Sequence, residues 1–395
     1  MAQYDCIICG AGLSGFAAAI GAAESGAKVM LFDRMPSAGG SAVYALTPVL
    51  SGWNNGSTGS ACGKLLADKL DSMGAFEWRQ NKLITDEDSL QKAMTSLLSE
   101  HNVTTLYNAT LCSVEKQKNR IVSVGVMTSG GMLNFTADTF VDASGDGVLS
   151  LLAGAEIITP SPEESMTKTV MFKVRNVKGF ERETVKKLFS DHVEDFPVKI
   201  QSQFMGLPLL DKDEVLLNLT AVSGNAADPQ ELSVMYDQLT GQIEPIMEFL
   251  RKYIPCFADA VVTKVSPIAG IRYTRSVKGE RTLTMEDIHN PQTPPEPVAF
   301  CGNYIGGHYI KQFSSPWGNE ITGKPAGPYG AIKVKGISNL LTAGRIIDVD
   351  PKAISAVRLA AQCLATGQAA GIAAALKIPE YSELKKELDR QKCMQ

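Results

Sequence analysis

At 395 residues, with 44% hydrophobic and 20% charged, the chain is large enough for two intertwined domains and too apolar for a disordered protein. Its net charge of −4 and pI near 5.7 leave no basic run to neutralise phosphates, which argues against nucleic acid as a partner. MAQYD runs straight into an apolar segment without the pattern of a signal peptide, and the eight cysteines form no metal-ligand cluster; both fit a reducing cytoplasm.

Tyr4–Cys9 (YDCIIC) reads as a central parallel strand. Cys6 and Cys9 lie on that strand rather than at a helix mouth, so they read as small buried hydrophobes and not as a redox pair. Gly10, Gly12 and Gly15 follow in the spacing G-x-G-x-x-G. Phe16–Ser25 is then an Ala-rich helix ended by Gly26, and Lys28–Phe32 a second strand ended by Asp33. The first glycine permits a tight turn, the second lets backbone approach a pyrophosphate, and the third lets helix and strand pack closely. The helix N-terminus offers unpaired N–H groups to phosphate, and Asp33, 18 residues past Gly15, is placed to accept from a ribose diol. The Gly39-Gly40 pair is not needed for NAD; it suits a second backbone approach along an extended FAD, the alternative being a flexible loop.

Asp86–Glu100 reads as a helix with Leu90, Met94, Leu97 and Leu98 on one face, followed by a strand at Val103–Tyr107. Thr110–Glu115, Ile121–Thr128 and Met132–Thr136 read as an antiparallel three-stranded unit. Thr139–Ala143 is a further strand running into Ser144–Gly147, and Val148–Ala153 a helix. The middle holds most of the prolines, helical candidates at Arg182–Phe189 and Pro229–Tyr253, and a loop at Pro291–Pro297. Leu340–Arg345 is an apolar strand stopping at glycine. Ala353–Leu376, interrupted by Arg358, Gln362 and Gln368, reads as a buried soluble helix rather than a membrane span. Its N-terminus is a second candidate site for an anion or polar ring.

These segments carry a resemblance. GAGLSG with Asp33-Arg34, GGSA at 39–42, FVDASGDG at 140–147, GIRYTRSVKGERTLTMEDI at 270–288 and the stretch 339–376 make the chain similar to the FAD-dependent oxidoreductases of the glutathione-reductase-type fold, within a family related to fumarate reductase flavoproteins. The resemblance implies an α/β architecture. A Rossmann-like FAD-binding domain, with a parallel sheet plus the three-stranded antiparallel unit, would comprise 1–160 and 330–395. An inserted α+β substrate domain would span 161–329. It implies that Gly10, Gly12 and Gly15 cradle the pyrophosphate, that Asp33 binds the ribose with Arg34 beside the adenine, and that Gly40 and Ser41 follow the phosphates and ribityl chain. Leu111 would touch adenine through its backbone. Ala143 and Gly145 would line the adenosine end, Gly344 and Arg345 would meet the ribityl or phosphate part, and Ala356, Val357 and Arg358 would offer backbone N–H groups to the flavin pyrimidine. Relatives often carry Glu at the position of Asp33. No histidine occurs in residues 1–100, which excludes a histidyl attachment near the Gly-Gly segment, so FAD is expected to be non-covalent.

The expected chemistry is hydride transfer at flavin N5 to or from a small organic substrate. Arg272 and Arg275, three apart in GIRYTRS, are candidates to clamp a carboxylate, the alternative being ion pairs with Glu280, Glu286 or Asp287. His308 is the candidate proton shuttle. Tyr329 is a candidate pocket residue, with ordinary packing as its alternative, and Arg358 a candidate to neutralise reduced flavin or bind substrate. A single G-x-G-x-x-G leaves no second nucleotide domain, so an external electron donor or acceptor is expected as partner. A dioxygen-using monooxygenase or oxidase and a flavin-binding subunit of a larger assembly stand as alternatives; no membrane partner is expected, and homo-oligomerisation is left open.

Overall fold

The expected strand–turn–helix–strand unit forms as β1 (Gln3–Cys9), α1 (Leu13–Glu24) and β2 (Val29–Phe32) in a computed structural model that describes residues 3–53, 60–79, 82–161, 164–211, 213–289, 294–300 and 326–394. After a short helical turn at Gly40–Tyr44 come two longer helices, α2 (Ala61–Ser72) and α3 (Glu87–Glu100), each started by a side-chain cap: Ser60 accepts from Gly63 N–H and Asp86 from Ser89 N–H. The sheet then continues through β3 (Thr104–Leu106), β4 (Thr110–Gln117), β5 (Arg120–Thr128) and β6 (Gly131–Asp142). α2 was not anticipated, although Cys62, Leu66 and Leu70 repeat at helical spacing behind Ser60 and are buried.

β6 replaces two expected strands. Ala137 and Asp138, which separate the two expected strands, form no turn, and the chain runs on without a break from Gly131 to Asp142. Its first part pairs antiparallel with β5, Val126 opposite Leu133, while its second part pairs parallel with β1, Cys9 opposite Asp142. A strand late in the chain, β11 (Leu340–Thr342), pairs parallel with the same end of β6. The parallel order is therefore β3-β2-β1-β6-β11, with β4-β5-β6 as an antiparallel extension.

Between these parts lies a second sheet, β7 (Phe172–Arg175), β8 (Gly206–Pro208), β9 (Val215–Leu217) and β10 (Val261–Val265), antiparallel in the order β8-β9-β7-β10. It shares a core of its own, including Phe172, Phe189, Leu217 and Leu250, with residues drawn from 170–260. Tyr273, Leu283, Ile288, Val298 and Tyr329 pack in the first core instead, so by packing the chain returns to it well before residue 329. Pro229–Tyr253 is two helices, Pro229–Gly241 and Ile243–Tyr253. Pro245 in the first turn of the second has no N–H to continue the ladder, and the Gln242 side chain bonds both N–H and C=O of Ala221.

The stretch 353–376 also divides. A 3₁₀ segment, Pro351–Ala356, is followed by a break that turns Arg358 and Leu359 toward the cleft, and then by a helix at Ala360–Ala375 (here α8, after α4 at Val148–Leu152, α5 at Arg182–Asp191 and the two helices above). α8 crosses α1 at glycines: a Cβ on Gly367 would lie 2.2 Å from Ser14 O, and one on Gly371 1.9 Å from Ala18 O. Among the described residues no helix is long and apolar enough to cross a membrane. The thiols of Cys6 and Cys9 are buried in the sheet; burial pushes Cys6 up to about 12 and Cys9 well above its usual value, which suits packing and not redox exchange.

One ion cluster ties the two cores. Glu87, at the start of α3, bonds Lys173 of β7 and Lys264 of β10, each at 2.6 Å, and Glu214 stands 3.8 Å from Lys173. Burial pushes the Glu87 carboxyl up, but the hydrogen bonds from Lys173 and Lys264 outweigh it and hold the group below 4.5.

Two outcomes follow from this packing. Gly371→Ala would gain about 0.5–1 kcal/mol of helix propensity but must displace backbone at Ala18, so a net loss of about 2 kcal/mol is expected in urea unfolding, whereas Gly241→Ala, with open space around it, should not destabilise. Glu87→Gln leaves Lys173 buried with only Glu214 nearby and is expected to cost about 2 kcal/mol, below the range for an isolated buried pair. In the wild type the Glu87 contribution is present above the unfolded carboxyl value of 4.5 and disappears as pH falls through its depressed folded value, which a pH series of unfolding midpoints reads directly.

Candidate functional site

The glycine turn is built from contacts that exclude side chains. Gly10 has φ +104°, and a Cβ there would lie 2.4 Å from Ala143 O; a Cβ on Gly15 would lie 1.7 Å from Gly10 O. These two glycines pack helix to strand and do not face the cleft. Gly12 does face it. It caps α1 with no side-chain bond, and the first turn holds no acidic residue, so the N–H groups there stay available to an anion. Gly40 lies directly opposite with φ +51°, and a Cβ on it would come within 2.7 Å of Gly12 Cα.

Asp33 is fixed at the edge of this cradle. Its Oδ2 accepts from Ala11 N–H at 2.5 Å and its Oδ1 from Met35 N–H at 2.8 Å, which leaves the remaining lone pairs at the cleft. The opposite edge, Ala143–Asp146, is shaped by Asp142, a fully buried carboxylate that sequence reading passed over. Its oxygens accept from the N–H and hydroxyl of Ser144 and of Ser150. Burial nonetheless raises its pKa.

Arg345 braces that edge. Its guanidinium donates to Gly145 O at 2.6 Å, to Asp146 at 2.9 Å and to Ile271 O, so the donors expected to meet FAD are engaged by the protein, which ties the 144–147 turn to the 270–272 segment. Next to this tie Arg272 also lines the cleft. It donates to Thr167 O at 2.7 Å, and among the described residues no carboxylate lies within ion-pair distance. Burial first, and the charge of Arg358 second, lower its pKa from 12.5 to about 9.

The cleft thus brings together Gly12, Asp33, Arg34, Gly40, Ser41, Ala143 and Gly145 with Arg272, Arg345 and Arg358. Other expected residues stand elsewhere. Arg275 runs past Gly147, outside the cleft lining, so the arginine facing Arg272 is Arg358 rather than Arg275. The alternative ion pairs form without either: Arg281 pairs with Asp287 and Lys333 with Glu280. Tyr329 is packed away from the cleft, its hydroxyl donating to Pro379 O, and burial pushes its phenol up. Leu111 lies in the core beneath the antiparallel extension. Gly344 is held behind Ser14 by the Thr366 hydroxyl. Ala356 and Val357 are buried, and Val357 N–H is used by Ile354 O; at the cleft their place is taken by Leu359 and Ala360, where α8 begins. His308 lies outside the described residues. Thr169, Met171 and Asn218 line the cleft and were not foreseen, because their stretch of sequence carries no recognisable motif.

With this geometry in view, the comparisons assign the chain. It belongs to the FAD dependent oxidoreductase family, whose model matches residues 5–394. No curated protein sequence matches it. Solved structures share the fold at low identity. A geranylgeranyl bacteriochlorophyll reductase-like protein from Thermoplasma acidophilum is 11% identical, with TM-score 0.54 over 98% of this chain and 83% of that one. A flavin-dependent brominase is 12% identical, with TM-score 0.52 over 99% and 84%. The p-nitrophenol 4-monooxygenase of Pseudomonas putida is 11% identical, with TM-score 0.52 over 99% and 86%. The protein is accordingly an FAD-dependent oxidoreductase with FAD as its cofactor.

The residues present fit that cofactor. Two backbones meet at Gly12 and Gly40 with no room for a Cβ on Gly40, the α1 N-terminus is free of acidic residues, and a pre-bonded carboxylate stands at Asp33. Gly40→Ala adds a strained φ and a clash against Gly12 Cα, and is expected to lower FAD retention about tenfold, from roughly 1–2 kcal/mol of strain; the flavin-to-protein absorbance ratio after dialysis measures it.

Proposed function

We propose that the protein transfers a hydride between flavin N5 and a small organic anion of carboxylate type, held by Arg272 at the wall facing the FAD cradle. The observation that carries this reading is a half-buried arginine in the cleft with no carboxylate partner among the described residues. A guanidinium partly withdrawn from water is favoured by a neighbouring anion, and its planar donors match a carboxylate. Non-covalent FAD, when bound, supplies the two-electron acceptor or donor. Gly12, Gly40 and Asp33 hold and orient it, while Arg358 adds positive charge beside the substrate. His308 supplies or removes the proton that accompanies the hydride. We read the parallel sheet with its antiparallel extension as the glutathione-reductase-type arrangement, with an inserted substrate unit within the expected span 161–329; the separate core formed by residues 170–260 supports an insert over that shorter stretch.

A second reading is favoured by the names of the fold neighbours, among them a p-nitrophenol 4-monooxygenase and an aromatic hydroxylase: electrons pass to dioxygen and the substrate is oxygenated. Anaerobic titration separates the two. A small carboxylate that bleaches the flavin bands without air supports hydride transfer, whereas bleaching only by an added external reductant, with oxygenated product in air, moves the assignment to the second reading. Arg272→Met should keep FAD and lose about tenfold to hundredfold in kcat/KM, from roughly 1.5–3 kcal/mol of charge-assisted hydrogen bonding, while Arg275→Met should not.

A further inference from the structure

Next to Arg272 the cleft wall contains a chain of polar side chains from the second sheet and its flank. Thr169 Oγ1 donates to Asn218 Oδ1 at 2.7 Å, and Arg272 Nη2 approaches the same oxygen at 3.4 Å. A guanidinium has donors only, so the atom facing it is the amide oxygen. Thr169 stands 3.2 Å from the buried Thr220 hydroxyl, which accepts from Val170 N–H and donates to Val170 O. The backbone is fixed as well. Asn218 N–H donates to Met205 O at 2.8 Å, and Thr169 pairs with Gly270 in an antiparallel bridge, two residues before Arg272.

These bonds occupy Asn218 Oδ1 and thereby settle which way the amide points. Its Nδ2 has no partner among the described residues, and Asn218, Thr169 and Arg272 all line the cleft. We propose that Asn218 is a specificity-determining residue whose Nδ2 donates to an oxygen of the substrate's anionic group beside Arg272, and that Thr169 is the positioning residue that sets the amide orientation. Arg272 and Asn218 Nδ2 then present donors side by side. The pair accepts a carboxylate and disfavours the neutral amide of the same shape, whose NH₂ meets donors at that position.

This inference rests on the reading of Arg272 as an anion site, and the experiment separates the two. Acetate and acetamide are titrated into the FAD-loaded protein, with flavin absorbance and thermal shift as readouts. The wild type should bind acetate at least about tenfold more tightly than acetamide. Asn218→Asp places a carboxylate against the incoming one and should weaken acetate about a hundredfold while leaving acetamide unchanged or tighter; Asn218→Ala, the milder change, should weaken acetate about tenfold. Thr169→Val should lower the acetate-to-acetamide preference about threefold, and Thr169→Ser, which keeps the hydroxyl, should restore it. If acetate binds and depends on Arg272, but the preference is unchanged in both Asn218 variants, the role of Asn218 is overturned alone. If the wild type shows no preference for acetate, the anion site and this inference fall together.

Discussion

The crossing of two Ala/Gly helices is the contact on which the site depends. Gly367 and Gly371 of α8 let its backbone lie against Ser14 and Ala18 of α1, and Gly15 lets α1 lie against the end of β1 at Gly10. Side chains at these positions would occupy space held by main-chain atoms, so the approach is available only to glycine. The crossing sets where the α1 N-terminus points and brings the start of α8 to the same cleft, with Leu359, Ala360 and Cys363 in its lining. Segments from opposite ends of the chain therefore build one cofactor cradle.

The other half of the cleft is held by both packing and charge. Leu46 and Ile84 pack against Leu209 and Leu216, Glu87 joins α3 to the second sheet through a buried ion pair with Lys173 and a more exposed one with Lys264, and Arg345 joins the 144–147 turn to Ile271. Between these ties lie Arg272 and the Thr169–Asn218 chain. Around the cleft, backbone N–H groups at the α1 N-terminus and the bonded carboxylate of Asp33 lie near Gly12, while Arg272 and Asn218 bring guanidinium and amide groups to the lining.

The glycine turn, Asp33 and Gly40 were readable because a dinucleotide cradle depends on positions where only backbone fits, and such positions leave glycines at fixed spacings. α3 was readable from its apolar stripe, and the β1–α1–β2 unit from its punctuation. Other readings went astray where a tertiary contact overrode a local pattern. Two expected strands became β6 because its halves pair with different neighbours, and the helix expected at 354–376 broke to turn Arg358 inward. The arginine partner was misjudged for a similar reason. Sequence spacing pointed to Arg275, but the chain between 272 and 275 turns away, and Arg358 arrives from elsewhere.

The sequence by itself determined that a parallel sheet carries a glycine-lined cradle for FAD, because glycine spacing and an acidic strand end express a backbone requirement that is local along the chain. Only the tertiary structure decided what faces that cradle. Thr169, Asn218, Arg272 and Arg358 are distant in sequence, no periodicity links them, and their shared environment arises from a second sheet that docks through the Glu87 ion pairs and the Leu46–Ile84–Leu209–Leu216 contact. The chemistry of a cleft wall depends on which side chains converge in space, and that convergence is a property of packing rather than of order along the chain.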